Sequence, residues 1–273
     1  MPAPGKRLSQ GARDAAGRRD AILGRARRAE VPAARRLAPF RPRLVVFAKA
    51  PVAGSVKTRL ARELGLAVAT RFARQSAAAL LARVGGDRRW QTIIAATGGS
   101  HCGGRFWPRA FATCAQGGGT LGERMQRILE GLPPGPVVIV GTDIPQLRAQ
   151  HIAEAFRALG RHDVVLGPAA DGGYWLIGLR RRPRVLSPFG GVRWSSAHAL
   201  ADTLANLGGR SVFRLARLGD VDDAHDFALY AAGCGRRVPP SAATAPSSWH
   251  CRSGATSGGP AVGAFRRGRR PAA

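Results

Sequence analysis

Lysine is scarce in this chain. Of the 43 basic residues among 273, only Lys6, Lys49 and Lys57 are lysine, and the rest are arginine. Acids are few too, 16 in all, so the formal net charge is +27. No uninterrupted apolar run reaches the roughly 18 residues that a membrane-spanning helix needs. The first residues lack the apolar segment of a secretory signal, so a cytoplasmic location is expected. The four cysteines, Cys102, Cys114, Cys234 and Cys251, show no CxxC spacing. That argues against a zinc site or a disulfide framework and fits a reducing compartment. No HExxH pair organises the histidines, and no GxSxG elbow supports a serine hydrolase.

So basic a chain first suggests a nucleic-acid partner, but the charge is unevenly placed. Residues 1–43 carry +9 and residues 236–273 carry +7, against +11 for the much longer stretch between them. No RNA- or DNA-binding motif accompanies the charge, so nucleic acid is not the expected partner. A small anionic ligand would still be attracted to the basic centre. The charged, alanine-rich residues 1–42 read as a disordered basic extension, although an arginine-rich targeting leader has the same composition. Residues 236–273, rich in Pro, Ser, Gly and Arg, read as a disordered tail. Residues 43–235 are left as one folded domain.

Within that domain, strand and helix patterns alternate. Strands are expected at Leu44–Ala48, Thr92–Ala96, Phe111–Ala115, Val137–Val140, Asp163–Leu166, Tyr174–Leu179 and Val212–Leu215. Helices are expected from Val56 to about Val84 with a break near Gly65, and at Leu121–Leu132, Ala149–Leu159, Ser195–Leu207 and Asp223–Ala231. Ser195 or Ser196 is the expected N-cap of the fourth helix. This order predicts an α/β sandwich with a largely parallel sheet.

Five segments carry chemistry. In Val45–Leu60, VVFAKAPVAGSVKTRL, a strand runs into a loop containing Gly54 and then into a helix. Such a loop presents backbone N–H groups and a cation to phosphate. Two of the three lysines, Lys49 and Lys57, fall here, where a compact point charge differs from an arginine fork. It is not a P-loop, because Val56 stands where glycine is required before the lysine. In VVIVGTDIP, Asp143 follows a buried strand, at the strand end where open α/β sheets bind ligands. A carboxylate there can hold a hard divalent cation, while the plainer reading is a turn cap. In Asp220–Asp226, DVDDAHD, Asp222 or Asp220 is the candidate second metal carboxylate, and Asp223 and Asp226 suit the helix start. In GPAADGGYWL, Asp171, Gly172, Gly173 and Tyr174 suit an acceptor pocket, or simply a hairpin turn. In QGGGTLGERM, Gly117, Gly119 and Gly122 form a G-x-G-x-x-G string without the βαβ context of a dinucleotide site. A glycine loop that lets a base or ribose lie close fits it better.

Taken in order, the blocks KAPVAGSVKTRL, QGGGTLGERM, VGTDIP, GPAADGGYWLIGL, FGGVRWSS and GDVDDAHDF resemble a glycosyltransferase-like family. It is known as the rSAM/selenodomain-associated transferases, or arsenosugar-biosynthesis glycosyltransferases. It is related to the CofC guanylyltransferases within the nucleotide-diphospho-sugar transferase (GT-A) superfamily. The resemblance spans roughly Leu44 to Tyr230. It implies a three-layer α/β/α sandwich around a mixed, mostly parallel sheet, and a nucleotide-dependent transferase domain over 43–235. It also implies that Lys57 and Arg59 lie near the phosphates of a nucleotide or nucleotide-sugar donor. Asp143 and Asp222 would hold Mg²⁺ or Mn²⁺, with Lys57 and Asp143 catalytic. Asp171 to Tyr174, with Trp194, would face a small-molecule acceptor. One position departs from the pattern: Thr120 stands where Asp is implied, and it can cap the helix starting at Leu121. Glycosyl transfer is the leading expectation, nucleotidyl transfer with pyrophosphate release the alternative, and a non-catalytic basic scaffold that binds RNA or a partner the remote one.

Overall fold

The computed structural model describes residues 39–97, 106–181 and 185–233. The tail at 236–273, the extension at 1–42 up to residue 38, and Cys102, Cys234 and Cys251 lie outside the described residues. Cys114 is buried in the layer of Val45, Ile93 and Met125.

The central strand is β1 (Arg43–Lys49). Leu44, Val46 and Ala48 pack into one hydrophobic layer and Val45, with Phe47, into the other. This period-2 division, apolar on both faces, is what a covered central strand requires. β1 pairs in parallel with β2 (Gln91–Thr97) on one side and β4 (Val137–Val140) on the other. β3 (Ala112–Ala115) adds to β2, also in parallel. β6 (Tyr174–Leu179) runs antiparallel between β4 and β5 (Val164–Pro168), and β7 (Val212–Arg214) pairs in parallel with β5. The seven strands stand in the order β3-β2-β1-β4-β6-β5-β7. The sheet is mixed and mostly parallel, as expected.

The helices are α1 (Thr58–Leu64), α2 (Leu66–Leu80), α3 (Leu121–Gly131), α4 (Ala149–Ala158), α5 (Ala199–Ala205) and α6 (Ala224–Gly233). α2 continues into a π-helical turn at Leu81–Gly85. Leu80, Leu81, Val84, Ile152 and Ala155, from α2, its π turn and α4, cover one sheet face. Met125, Ile128 and Leu129 of α3 cover the other, with Leu200 and Leu204 of α5. Phe72 of α2 meets Phe227 of α6 edge-on at 5.4 Å.

Local signals explain most boundaries. Gly65, at φ 87°, separates α1 from α2. Thr120 and Glu123 form a capping box at α3, each side chain accepting the other residue's backbone N–H at 3.3 and 2.8 Å. The expected helix at Ser195–Leu207 is shorter: α5 begins at Ala199. Ser195 stands in the left-handed region at φ 58°, and Ser196 Oγ donates to the Arg193 carbonyl at 2.6 Å. The two serines therefore shape a turn before the helix rather than cap it.

Candidate active site

The carboxyl ends of β1 and β4 lie at the same sheet edge as the start of antiparallel β6. Asp143 follows β4, and Ser76 of α2 donates to the neighbouring Thr142 carbonyl at 2.6 Å. The backbone N–H of Val221 donates to the Asp143 carbonyl at 3.1 Å. That bond stitches the segment before α6 to the turn after β4. Val221 is buried, and the residues on either side of it, Asp220 and Asp222, join Asp143 in one group of carboxylates. One oxygen from each lies within 4.8 Å of the others. Asp223 and Asp226 do the expected helix-start work. Asp223 accepts the Asp226 N–H at 2.9 Å, and Asp226 accepts the Asp222 N–H at 3.1 Å.

Lys57 reaches this group from the loop after β1. Its Nζ lies 3.1 Å from Asp143 Oδ2 and 3.0 Å from Asp222 Oδ1. Arg59 Nη1 adds a contact to Asp222 Oδ2 at 3.2 Å. The Lys57 backbone is left-handed, at φ 46° and ψ 51°. This is uncommon for a residue with a Cβ and costs about 1–3 kcal/mol. Burial pulls the Lys57 ammonium toward neutrality, but attraction and hydrogen bonds from Asp143 and Asp222 outweigh it and leave its pKa raised. Asp220 is held above the usual carboxylate range, first by burial and then by the nearby charges of Asp143, Asp171 and Asp222. A divalent cation would relieve that repulsion. An all-carboxylate donor set suits the hard ions Mg²⁺ and Mn²⁺, so these residues fit the expected metal.

The cluster opens into a cavity of about 330 Å³. Asp143, Asp220 and Asp222 line it together with Asp171, Gly173, Tyr174, Trp194, Ser195 and Ser196, and Phe47, Leu121, Met125 and Ile139 supply apolar wall. Tyr174 and Trp194 meet edge-on at 6.2 Å, and Trp194 leans on Phe189 at 6.1 Å. Tyr174 is half-buried, its hydroxyl lies 3.4 Å from Thr203 Oγ1, and loss of solvent pushes its pKa up. Gly172 allows the close approach of Ala197, whose backbone a Cβ would strike.

The fold thus gathers Lys57, Arg59, Asp143 and Asp222 into one ion-pair cluster and sets Asp171, Gly173, Tyr174 and Trp194 around the adjoining cavity. Lys49, Gly54, Gly119 and Gly122 do not line that cavity. Lys49 is exposed at the end of β1, and Gly54 turns the first loop at φ 78°. Gly119 sits beside Glu123 of the capping box, and Gly122 lies under Phe189 and Trp194. Sequence reasoning missed Gln116. Its buried amide donates to the Ala48 and Ala95 carbonyls at 3.1 and 2.7 Å and accepts from Arg124 at 2.9 Å. It locks the glycine loop to the ends of β1 and β2.

Residues 80–196 match the model of a family described as an uncharacterized protein conserved in bacteria (DUF2064). No curated protein matches the sequence. Among solved structures, a proposed nucleotide-diphospho-sugar transferase from Desulfovibrio desulfuricans G20 is 28% identical with a TM-score of 0.64. The match covers 71% of this chain and 88% of that one. Looser likenesses extend to 4-diphosphocytidyl-2C-methyl-D-erythritol synthase from Anaerococcus prevotii DSM 20548 (11% identity, TM-score 0.48, covering 72% and 97%). Rv0371c from Mycobacterium tuberculosis H37Rv is comparable (18%, 0.47, 71% and 100%). The α/β fold with its mixed sheet is therefore one shared with a nucleotide-diphospho-sugar transferase structure. Among the described residues, no helix is long and apolar enough to cross a membrane.

Proposed function

We propose that this protein is a metal-dependent, nucleotide-utilising transferase that moves a glycosyl group from a nucleotide-sugar to a small acceptor. The observation that carries this reading is the meeting of Lys57 with Asp143 and Asp222 beside a cavity at the carboxyl ends of parallel strands. The likeness to the Desulfovibrio structure supports it. Asp143 and Asp222, with Asp220, would hold Mg²⁺ or Mn²⁺, and the ion would supply positive charge against a diphosphate. Lys57 and Arg59 add fixed positive charge to the same phosphates. The first loop, with Lys49 and Gly54, and the glycine loop at Gly119 and Gly122 flank the nucleotide. Asp171 to Tyr174 and Trp194 receive the acceptor.

Nucleotidyl transfer uses the same parts, and the placement of Lys57 with Arg59, where the first loop enters α1, favours it as the second reading. A thermal-shift panel separates the two, because a ligand that binds only the folded state raises the melting temperature. Stabilisation by a UDP- or GDP-sugar with Mn²⁺ supports glycosyl transfer. Stabilisation by a free triphosphate alone supports nucleotidyl transfer, and silence across the panel contradicts both.

A further inference from the structure

The cavity is acidic in a chain that is overwhelmingly basic. Among its described lining residues stand four aspartates, Asp143, Asp171, Asp220 and Asp222, and no lysine, arginine or histidine. The cations close by are each held by a neighbouring group and stand outside the lining. Lys57 and Arg59 are bound to Asp143 and Asp222. Arg193, next to Trp194, is clamped on Asp202 at 2.9 and 2.8 Å. Arg217 donates to the carbonyls of Ala169 and Ala170 at 3.1 and 3.3 Å.

The remaining polar groups suit hydroxyls. Asp171 Oδ1 accepts the Gly173 N–H at 2.9 Å, and the exposed carboxylate keeps lone pairs for a ligand O–H. Ser195 lines the cavity from a left-handed backbone, a strain that recurs at ligand clamps. Tyr174 and Trp194 form a two-sided aromatic corner against which the C–H face of a ring can lie.

We propose that the acceptor is an uncharged polyhydroxy compound of the sugar or polyol class, and that the cavity rejects phosphorylated and carboxylated acceptors. This rests on the transferase reading above. In that reading Lys57 and the metal answer the charges of Asp143, Asp220 and Asp222. Among the described residues Asp171 has no ion-pair partner, and an anionic acceptor would meet it and the donor diphosphate in a cavity whose described lining holds no lysine, arginine or histidine. Selection here works through repulsion as much as attraction.

The test uses the full chain with Mn²⁺ and UDP or GDP, whichever nucleotide raises its melting temperature. Glucose, glucose 6-phosphate and glucosamine are compared by saturation-transfer NMR. Glucose is expected to bind at least tenfold more tightly than glucose 6-phosphate, about 1.4 kcal/mol. Asp171→Lys, at an exposed loop position, is expected to close that gap by strengthening glucose 6-phosphate binding. Equal or tighter binding of glucose 6-phosphate by the unmodified chain overturns the proposal. So does binding of glucosamine alone, or of none of the three. Where the nucleotide shift is present and the sugar preference is not, this inference alone fails. Where no nucleotide shift occurs, the transferase reading fails and takes the inference with it.

Discussion

Lys57 and Asp143, 86 positions apart in the chain, meet at 3.1 Å beside the cavity that Asp143 lines. The same ammonium lies 3.0 Å from Asp222, and its side chain is only 12% exposed. Lys57 is thus the counter-ion of two carboxylates proposed to hold the metal. Removing it should leave those carboxylates to repel each other. Because Asp143 and Asp222 are 35% and 44% exposed, the loss is modest, about 1 kcal/mol. Urea denaturation of Lys57→Ala should show this loss without metal. Mn²⁺ should restore more stability to the variant than it adds to the unmodified protein. An equal Mn²⁺ response in both would detach Lys57 from the metal site.

Asp220 sets a pH dependence. Its folded-state pKa is raised by burial and by neighbouring aspartates. The folded protein therefore keeps a proton that the unfolded chain has already lost, and stability falls as pH rises from the ordinary Asp range through the raised value. Asp220→Asn should flatten this decline and stabilise the metal-free protein at neutral pH. Melting temperatures from about pH 4 to about pH 7 check it. A variant that follows the unmodified curve refutes the assignment.

Gly122 packs tightly against Phe189 and Trp194. A Cβ there would lie 2.8 Å from Phe189 Cβ, 2.9 Å from Trp194 Cζ2 and 3.1 Å from the Phe189 carbonyl oxygen. Alanine is usually worth up to about 1 kcal/mol over glycine inside a helix. Overpacking of about 1–3 kcal/mol should reverse that gain. Gly122→Ala is expected to melt lower and to alter tryptophan fluorescence through Trp194. An unchanged or higher melting temperature would show that the loop bearing Trp194 yields freely.

Much of this was legible in the sequence because it is written locally. The apolar run of β4, the break at Gly65 and the Thr120–Glu123 box each depend on residues a few positions apart. Asp143, Lys57 and Asp222 were readable as candidates from their places at strand ends. A second metal carboxylate beside Asp143 is legible in the same way, but the meeting of all three side chains depends on long-range ties such as Val221 N–H to the Asp143 carbonyl. The Asp-Val-Asp alternation, with acids on either side of a buried valine, makes Asp220 and Asp222 alternative candidates, and the structure brings both to Asp143. Ser-Ser before an Ala-rich stretch looks like a cap, so the expected start of α5 falls four residues before the observed one at Ala199. The Leu200 N–H bond to the Gly172 carbonyl and the Arg193–Asp202 clamp instead fix a turn there. Gln116 carries no local signal, since its amide bonds to β1 and β2, far away in the chain.

The central claim is that Asp143 and Asp222 hold a metal through which the protein binds a nucleotide. Isothermal titration of Mn²⁺, with and without UDP or GDP, into the unmodified protein, Asp143→Asn and Asp222→Asn tests it most directly. The account predicts Mn²⁺ binding that the nucleotide strengthens, lost or weakened at least tenfold, about 1.4 kcal/mol, in both variants while their folded far-UV signal persists. Mn²⁺ and nucleotide binding undiminished in the folded variants would contradict it.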